Sequence, residues 1–303
     1  EDLDTGFHVT TPDPKQLQRF LKKMVDTGIK YVVLETTSHG LDQNRVGGIR
    51  FDAAVYTNIT NEHLDYHKTY DRYLSAKAKM IRMLVPRGLV VLNQDDQSYK
   101  KLLDVANRAK REVLTYSTKE NANLSAVKIQ YEQDYTGFST LGLVELGETK
   151  INLPGEYNVS NALAAITVAS AFGSNTKSIR NGIEKLSALE GRWEVVQKSP
   201  FTVIVDFAHT PNALEAVLSS AQKIKGEGKV IVVFGAAHLR DENKRPHMGE
   251  AAAISANLTF LTAEDPRGAS VTKISEQIAE GLTKHGKQIG KDYFIIEDRR
   301  EAI

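Results

Sequence analysis

Short apolar runs that alternate with amphipathic helical windows dominate the first part of the chain. Tyr31–Leu34 and Phe51–Tyr56 are β-branched or aromatic-rich runs that end in polar residues, as buried parallel strands do. A third run, Leu89–Leu92, and a fourth around Val113 continue the alternation. This pattern predicts an α/β fold built on a parallel sheet.

The pattern of polar and apolar residues changes twice after this region. Between Leu124 and Leu153 polar and apolar residues alternate and glycines recur, which predicts a small antiparallel sheet. Near Glu190 the strand-helix rhythm restarts, so we predict two domains, residues 1–190 and 191–303, of which the second is Rossmann-like. Its strand candidates are Phe201–Val205, Lys229–Phe234, Leu258–Leu261 and Tyr293–Ile296.

A lysine lies on the apolar side of one predicted helix. From Tyr70 to Leu84 the large apolar residues recur every three or four positions, which is typical of a helix packed against a core. Lys77 falls on the same stripe as Tyr73 and Ile81, so we expect its side chain to face the interior.

Glu35 and His63 are candidates to meet this lysine. Glu35 ends the first predicted strand and His63 lies in the loop after the second, and open α/β sheets place their ligands at the carboxyl ends of strands. Mg²⁺ prefers oxygen ligands, so the histidine argues against a purely magnesium site. From the residues alone, an ion pair between Glu35 and Lys77 with His63 capping a loop explains the pattern equally well.

Two neighbouring features have weaker chemical interpretations. Ser38-His39 is not surrounded by a G-x-S-x-G turn, so we reject a hydrolase triad. Arg45 could hold a carboxylate or phosphate through two parallel hydrogen bonds, or could be a solvated loop arginine.

Three strand ends of the second domain carry charged residues. An acid at a strand end followed by a helix start favours a nucleotide or a phosphate-bearing ligand, and helix capping by Asp206 and Thr210 is the alternative. The first of the three segments is Asp206–Asn212. The second, Gly235–Asp241 with the following Lys244-Arg245-Pro246, packs three cations into six residues, which favours a functional cluster over a solvated loop. The third is Glu264–Arg267, from which we expect Arg267 to project into the crevice.

Composition excludes several function classes. The 303 residues carry 39 Lys+Arg against 38 Asp+Glu, a formal charge of +1, so no global field attracts nucleic acid or an anionic membrane. The absence of cysteine excludes disulfides, thiolate metal sites and a cysteine nucleophile. No secretory h-region is present, and no apolar run approaches the roughly 20 residues of a membrane span. We therefore expect a cytoplasmic protein without nucleic-acid or membrane partners.

Taken together, seven strings resemble the motifs of the Mur ligases, in particular the MurE type, which adds the third residue of the peptidoglycan stem peptide. The resemblance covers essentially the whole chain, and the strings occur in the order and spacing of the family. They are ETTSHGL at 35–41, TNITNEHLDYH at 57–67, SAK at 75–77, LPGEYNVSNALAA at 153–165, GRWE at 191–194, DFAHTP at 206–211 and RDENKRPHMG at 240–249.

The resemblance implies a central ATP-binding domain followed by a Rossmann-like C-terminal domain, acting together as a monomeric, ATP-dependent carboxylate-amine ligase. The substrates would be UDP-muramyl dipeptide (UDP-MurNAc-L-Ala-D-Glu), ATP and an amino acid, which react through an acyl phosphate. The catalytic and Mg²⁺-binding positions would be Glu35, His63 and Lys77, the last as a carbamate. The muramyl-peptide positions would be Thr10, Thr11, Ser38 and Arg45, and the ATP positions Asn158, Asn161, His209, Arg240 and Lys244.

The chain departs from the family pattern at two places. Members that add diaminopimelate carry D-N-P-R where this chain has Glu264-Asp265-Pro266-Arg267. Arg267 could still bind a carboxylate, and Asp265 favours a cationic group, as in meso-diaminopimelate or lysine. The 303 residues contain no phosphate loop G-x-x-G-K-T. From the family pattern we expect this loop and the UDP-binding domain to lie upstream of Glu1, and the third domain to continue past Ile303. We therefore expect this polypeptide alone to be inactive.

Two other functions are compatible with parts of the pattern. One is a sister amide ligase, such as a cyanophycin or folylpolyglutamate synthetase, against which Ser38–Leu41, Arg45 and His63–His67 argue. The other is a non-catalytic relative that binds muramyl peptide or nucleotide. Retention of Glu35, His63 and Lys77 argues against such a binder, whereas the missing phosphate loop favours it.

Overall fold

The computed structural model describes residues 10–60, 62–186, 189–238 and 241–303. The chain divides into two compact units. The N-terminal unit extends to Leu92 and includes Asp96–Leu114, and the C-terminal unit comprises Asn93–Asp95 and Thr115–Ile303. The domain boundary predicted between residues 190 and 191 stays a prediction.

The first part of the chain alternates helices and strands as predicted. The elements are α1 (Pro14–Asp26), α2 (Ser38–Asp42), β1 (Phe51–Tyr56), α3 (Leu64–His67), α4 (Tyr70–Arg82), β2 (Leu84–Asn93), α5 (Tyr99–Arg108) and β3 (Glu112–Ser117). β1 and β2 pair in parallel, with Ala54 opposite Val90.

Helix α4 carries the predicted stripe. Tyr73, Leu74 and Ile81 are at most 5% exposed and belong to one apolar cluster with residues of β1 and β2. Burial of each such side chain contributes about 1.5–3 kcal/mol. Thr69 caps the helix, because its hydroxyl accepts a hydrogen bond from the Arg72 N–H at 3.3 Å. This packing fixes the rotation of α4 and therefore the direction of Lys77.

The predicted strand Tyr31–Leu34 is wrong. These residues are in irregular structure, and Tyr31 is 77% and Val33 101% exposed. Only Leu34 packs, in part, against the apolar cluster of the N-terminal unit. A strand needs a ladder partner, and within the described part of the chain no strand pairs with this segment.

The predicted combination of a parallel sheet with antiparallel hairpins is confirmed. The further elements before residue 190 are β4 (Leu124–Tyr131), β5 (Thr136–Gly142), β6 (Thr149–Ile151), α6 (Glu156–Ala171) and α7 (Thr176–Glu184). The sheet is hydrogen-bonded in the order β1-β2-β3-β4-β5-β6. β3 and β4 are parallel, whereas β4, β5 and β6 are antiparallel.

A second, smaller parallel sheet forms later in the C-terminal unit. The elements are β7 (Glu194–Gln197), β8 (Val203–Val205), α8 (Pro211–Ile224), β9 (Ile231–Phe234), α9 (Lys244–Ser255), β10 (Leu258–Leu261), α10 (Val271–Lys284), β11 (Tyr293–Ile295) and α11 (Arg299–Ala302). The order β11-β10-β9 is parallel throughout, as a Rossmann-like rhythm predicts.

The strand predicted at Phe201–Val205 forms as β8 but does not join this parallel sheet. It pairs antiparallel with β7 instead, with Val195 opposite Ile204. The two strands are joined by a short connection, and closing a short loop loses less chain entropy than pairing with a distant strand. Of the four strand candidates of the second domain, three pair in this parallel sheet, and Phe201–Val205 does not.

Helices α9 and α10 contact each other through their backbones. A Cβ added to Gly281 would lie 1.9 Å from the Pro246 carbonyl oxygen, and one added to Gly249 would lie 1.9 Å from the Ile278 oxygen. The two glycines therefore permit the close approach that orders the start of α9.

Among the described residues, no helix is long and apolar enough to cross a membrane.

We predict that Gly281→Ala lowers the free energy of unfolding by about 3 kcal/mol, because backbone must move to admit the methyl group. Gly182 is the matched control, since it lies in α7 and an added Cβ would meet no atom within 4 Å. Gly182→Ala should raise the stability by about 0.5–1 kcal/mol. Denaturant unfolding of both variants checks this, and equal effects would contradict the close helix contact.

Candidate functional site

Lys77 lies at the centre of a charged cluster in the N-terminal unit. Its side chain is largely buried on α4, and its ammonium donates a hydrogen bond to the Thr36 carbonyl at 3.4 Å. Burial lowers the pKa of Lys77, while the negative charges of Glu35 and Glu62 act in the opposite direction. Desolvation is the larger effect, so a larger fraction of the Lys77 amine is neutral than for a lysine in water.

Two carboxylates act electrostatically on this amine, and the sequence assigned a role to one of them. Glu35 is exposed and follows the irregular Tyr31–Leu34 segment, and its charge acts on Lys77. Glu62 lies in the loop after the second predicted strand but was given no role. Burial raises the pKa of Tyr73, and the charge of Glu62 adds to that rise, so Glu62 lies near both Tyr73 and Lys77. The available signal was its position directly before His63.

His63 belongs to a group of aromatic and imidazole rings beside this cluster. Its backbone is left-handed, with φ of 56°, at the start of α3. Its ring centroid lies 5.0 Å from that of His39 and 5.9 Å from that of Tyr73. The structure therefore places His63 beside Tyr73, which lies one helical turn before Lys77 on α4.

Thr11 organises the residues predicted to bind the muramyl peptide. Its hydroxyl donates to the Glu35 carbonyl at 3.2 Å and accepts from the Thr37 N–H at 3.0 Å. Arg45 donates from Nη1 to the Thr11 carbonyl at 3.1 Å and from Nε to Gln43 at 2.9 Å. The structure therefore gathers Thr11, Arg45 and the segment that carries Glu35.

The predicted muramyl-peptide residues differ in exposure. Thr10 is exposed, whereas Thr11 is 0% and Ser38 is 1% exposed. The Ser38 hydroxyl is buried without a hydrogen-bond partner, although Ser38 opens α2 directly after its capping residue Thr37. Thr11 and Ser38 thus act from beneath the surface that Thr10 and Arg45 help to form.

In the C-terminal unit, the residues predicted to face ATP fall into two groups. Asn158 is 7% exposed and donates to the Pro154 carbonyl at 2.9 Å, whereas Asn161 is exposed on the same helix, α6. His209 and Lys244 are brought together, because the Lys244 ammonium donates to the His209 carbonyl at 2.7 Å. Arg240 lies outside the described residues.

The loop after β8 is held by a carboxylate and presents an aromatic ring. Asp206 accepts hydrogen bonds from the Trp193 and Ala208 N–H groups, both at 2.8 Å. Phe207 is 58% exposed, and the Arg192 guanidinium lies 4.8 Å from its ring centroid. Capping of α8 falls to Thr210, which accepts from the Ala213 N–H at 3.3 Å. The capping alternative from the sequence thus holds for Thr210 and not for Asp206.

Asp265 and Arg267 form an ion pair in the loop after β10. Nε and Nη2 of Arg267 lie 2.8 and 2.7 Å from the same carboxylate oxygen of Asp265. The side chains are 42% and 49% exposed for Arg267 and Asp265. Arg267 has a left-handed backbone with φ of 46°. The pair is therefore accessible to a ligand that carries opposite charges.

The donor set around Lys77 fits a divalent cation only under one condition. Within the described ranges, no group of three or more His, Cys, Asp or Glu side chains is arranged to hold a metal ion. A free ammonium cannot ligate a cation. A carbamate on Lys77 would replace it with an anionic oxygen ligand beside Glu35, which is the donor type that Mg²⁺ prefers.

Two family profiles match the chain. The Mur ligase middle domain matches residues 4–169, and the Mur ligase glutamate ligase domain matches residues 191–303. The UDP-N-acetylmuramyl-tripeptide synthetase of Roseiflexus sp. (strain RS-1) is 38% identical over 97% of this chain and 60% of its own length. The UDP-N-acetylmuramoyl-L-alanyl-D-glutamate--2,6-diaminopimelate ligase of Clostridium tetani (strain Massachusetts / E88) is 36% identical over 97% of this chain and 59% of its own length.

A solved structure of a UDP-N-acetylmuramoyl-L-alanyl-D-glutamate--2,6-diaminopimelate ligase is similar as well. It is 32% identical with a TM-score of 0.63, over 97% of this chain and 59% of that one. The chain thus spans about 60% of the length of the curated relatives that it matches.

We predict that Thr11→Val lowers the free energy of unfolding by about 1–2 kcal/mol, because it leaves the Thr37 N–H and the Glu35 carbonyl without their partner. The neighbouring Thr10→Val is the matched control and should stay within about 0.5 kcal/mol of the wild type. Chemical denaturation measures both. If the two variants were equally stable, the hydroxyl of Thr11 would not hold this segment.

Proposed function

The chain belongs to the Mur ligase family, and from this premise we propose that it carries the catalytic residues of an ATP-dependent amide ligase. The proposed reaction adds the third amino acid to UDP-MurNAc-L-Ala-D-Glu in peptidoglycan synthesis. The observation that carries the proposal is the largely buried amine of Lys77 within the electrostatic influence of Glu35 and Glu62. The similarity to a tripeptide synthetase and to a diaminopimelate ligase supports the choice of reaction.

A carbamate explains why a lysine occupies this position. The neutral amine attacks CO₂, forming an N–C bond and releasing one proton, so the residue changes from a cation to an anion. Burial favours this step because it lowers the pKa of the Lys77 ammonium and raises the fraction of neutral amine. Glu35, His63 and the carbamate would then hold Mg²⁺, which when bound supplies charge neutralisation for phosphoryl transfer from ATP.

The remaining residues of the N-terminal unit orient the acceptor. Arg45 is fixed through two of its nitrogens, to Thr11 and to Gln43, so its guanidinium is presented in one orientation to a carboxylate or phosphate of the muramyl peptide. Thr10 provides an exposed hydroxyl next to it. We assign Thr11 and Ser38 to the support of this surface. The buried Ser38 hydroxyl would donate a hydrogen bond to the muramyl peptide.

Residues of the C-terminal unit form the proposed ATP side. Asn161 and His209 are exposed, and Lys244 lies beside His209. A lysine next to a helix start is a favourable site for phosphate, because the positive charge and the free N–H groups of the helix act together. We include Asn158 and Arg240 in this group on the resemblance alone.

The Asp265–Arg267 pair bears on the choice of the amino acid. The distal end of meso-diaminopimelate carries both an ammonium and a carboxylate. It can therefore replace the Asp265–Arg267 ion pair by one pair between its ammonium and Asp265 and one between its carboxylate and Arg267. The distal end of lysine carries only the ammonium and would leave Arg267 without an anionic partner, which costs free energy. We therefore propose meso-diaminopimelate as the preferred substrate and L-lysine as the weaker one.

The proposed substrates, ATP and a UDP-linked peptide, are cytoplasmic metabolites, so we propose that the protein acts in the cytoplasm. We also propose that it acts as a monomer.

The direct test supplies the full-length protein with ATP, Mg²⁺, UDP-muramyl dipeptide and a panel of amino acids, and follows phosphate release. We expect release to require the dipeptide and a diamino acid, with meso-diaminopimelate ahead of lysine. Lys77→Met should lower kcat about 10²–10³-fold, the loss typical for one electrostatic group. Lys79→Met is the matched control, since Lys79 lies on the same helix but pairs with Asp42 at the surface.

Three outcomes would contradict the proposal. Turnover that occurs only when glutamate is the supplied amino acid would indicate a sister ligase. Binding of muramyl peptide or nucleotide without phosphate release would indicate a non-catalytic relative. Equal activity of Lys77→Met and Lys79→Met would remove Lys77 from the reaction.

A further inference from the structure

Arg245 is a buried cation in the first turn of α9 that the proposed reaction does not use. Its side chain is 3% exposed, and arginine is almost never buried so fully unless it is paired. Nη1 donates to the Gln277 side chain on α10 and lies 3.3 Å from the Glu242 carboxylate, and Nη2 donates to the Ala237 carbonyl at 3.2 Å. One guanidinium thus joins two helices to the loop that follows β9.

The Ala237–His238 peptide group is held at both ends. Its carbonyl accepts from Arg245, and its N–H, on His238, donates to the Asp265 carbonyl at 3.0 Å. A peptide group is planar, so fixing the carbonyl also fixes the direction of the N–H. A hydrogen bond at one end also polarises the group and strengthens the bond at the other.

This peptide lies where the loops after β9 and β10 touch. Gly235 approaches so closely that an added Cβ would lie 2.1 Å from the Thr262 carbonyl oxygen and 3.1 Å from the Glu264 N–H nitrogen. The His238–Asp265 bond is a second tie between the same loops, next to the Asp265–Arg267 ion pair. The position of that ion pair therefore depends on the orientation of the Ala237–His238 peptide.

We propose that Arg245 is a positioning residue for recognition of the incoming amino acid, acting through the Ala237–His238 peptide on Asp265 and Arg267. The inference rests on the proposed function, in which the Glu264–Arg267 loop binds that amino acid. Arg245 sets the backbone of this loop before the substrate arrives. Lysine at this position is a single point charge on a flexible stem and cannot span Gln277 and Ala237 with a rigid fork.

The experiment compares Arg245→Gln and Arg245→Lys with the wild-type intact protein in steady-state kinetics. We expect Arg245→Gln to raise the KM for the amino acid about tenfold, as for loss of one charge-assisted hydrogen bond, while the KM for ATP changes less than about twofold. Arg245→Lys should fall between the two. Arg180→Gln, which alters an arginine on α7, is the control and should leave both KM values unchanged.

A double-mutant cycle separates positioning from general stability. If Arg245 acts through Arg267, its effect on the amino-acid KM should be mostly lost in an Arg267→Gln background, since coupled residues are not additive. Full additivity, an equal rise in both KM values, or an unchanged amino-acid KM in folded Arg245→Gln would overturn the proposal.

Hydrogen exchange of the His238 amide provides a readout that does not need activity. We expect exchange to be about tenfold faster in Arg245→Gln and close to wild type in Arg180→Gln. If the full-length wild-type protein shows no ligase turnover, the proposed function fails, and this exchange measurement alone decides whether Arg245 orders the peptide. Unchanged exchange in folded Arg245→Gln and Arg245→Lys would refute the positioning role.

Discussion

The desolvation of one lysine is the constraint on which the proposed chemistry depends. The core of the N-terminal unit fixes α4 through Tyr73, Leu74 and Ile81, and this leaves the amine of Lys77 on the packed side of the helix. An ammonium in such a position loses hydration, which the charges of Glu35 and Glu62 offset only in part, because the pKa of Lys77 is lowered. The packing of an ordinary amphipathic helix therefore lowers the pKa of Lys77.

The C-terminal unit uses backbone geometry for a comparable purpose. Parallel pairing of β9, β10 and β11 brings their carboxyl ends to one edge, where ligands of such sheets bind. Gly249 and Gly281 allow α9 and α10 to touch, and this contact orders the turn that carries Lys244 and Arg245. The proposed recognition of the amino acid by exposed charges such as Arg267 thus rests on buried contacts between helices.

Sequence patterns predicted those features that depend on local spacing. The apolar period of α4 gives the direction of Lys77, and the alternation after Leu124 gives the antiparallel strands. Tyr31–Leu34 was predicted as a strand from its composition, but strand formation depends on a hydrogen-bonding partner, which composition does not specify. For the same reason β8 was assigned to the wrong sheet.

The residues that sequence reasoning missed act through contacts between distant segments. Glu62 lies within the string at 57–67 without an assigned role, and only its electrostatic effect on Lys77 and Tyr73 identifies it. The sequence marks Arg245 only as one member of a charged cluster after a strand end, whereas its proposed positioning role follows from its burial against Gln277 and Ala237. Such residues become visible only when the fold brings their partners together.

Carbon NMR of the full-length protein in ¹³C-labelled bicarbonate shows whether the amine of Lys77 reacts with CO₂. We expect one carbamate resonance that strengthens as pH rises, because more of the amine is neutral, and that is absent in Lys77→Arg. A spectrum without a carbamate resonance across neutral and mildly alkaline pH, or one that Lys77→Arg leaves unchanged, would exclude a carbamate on Lys77.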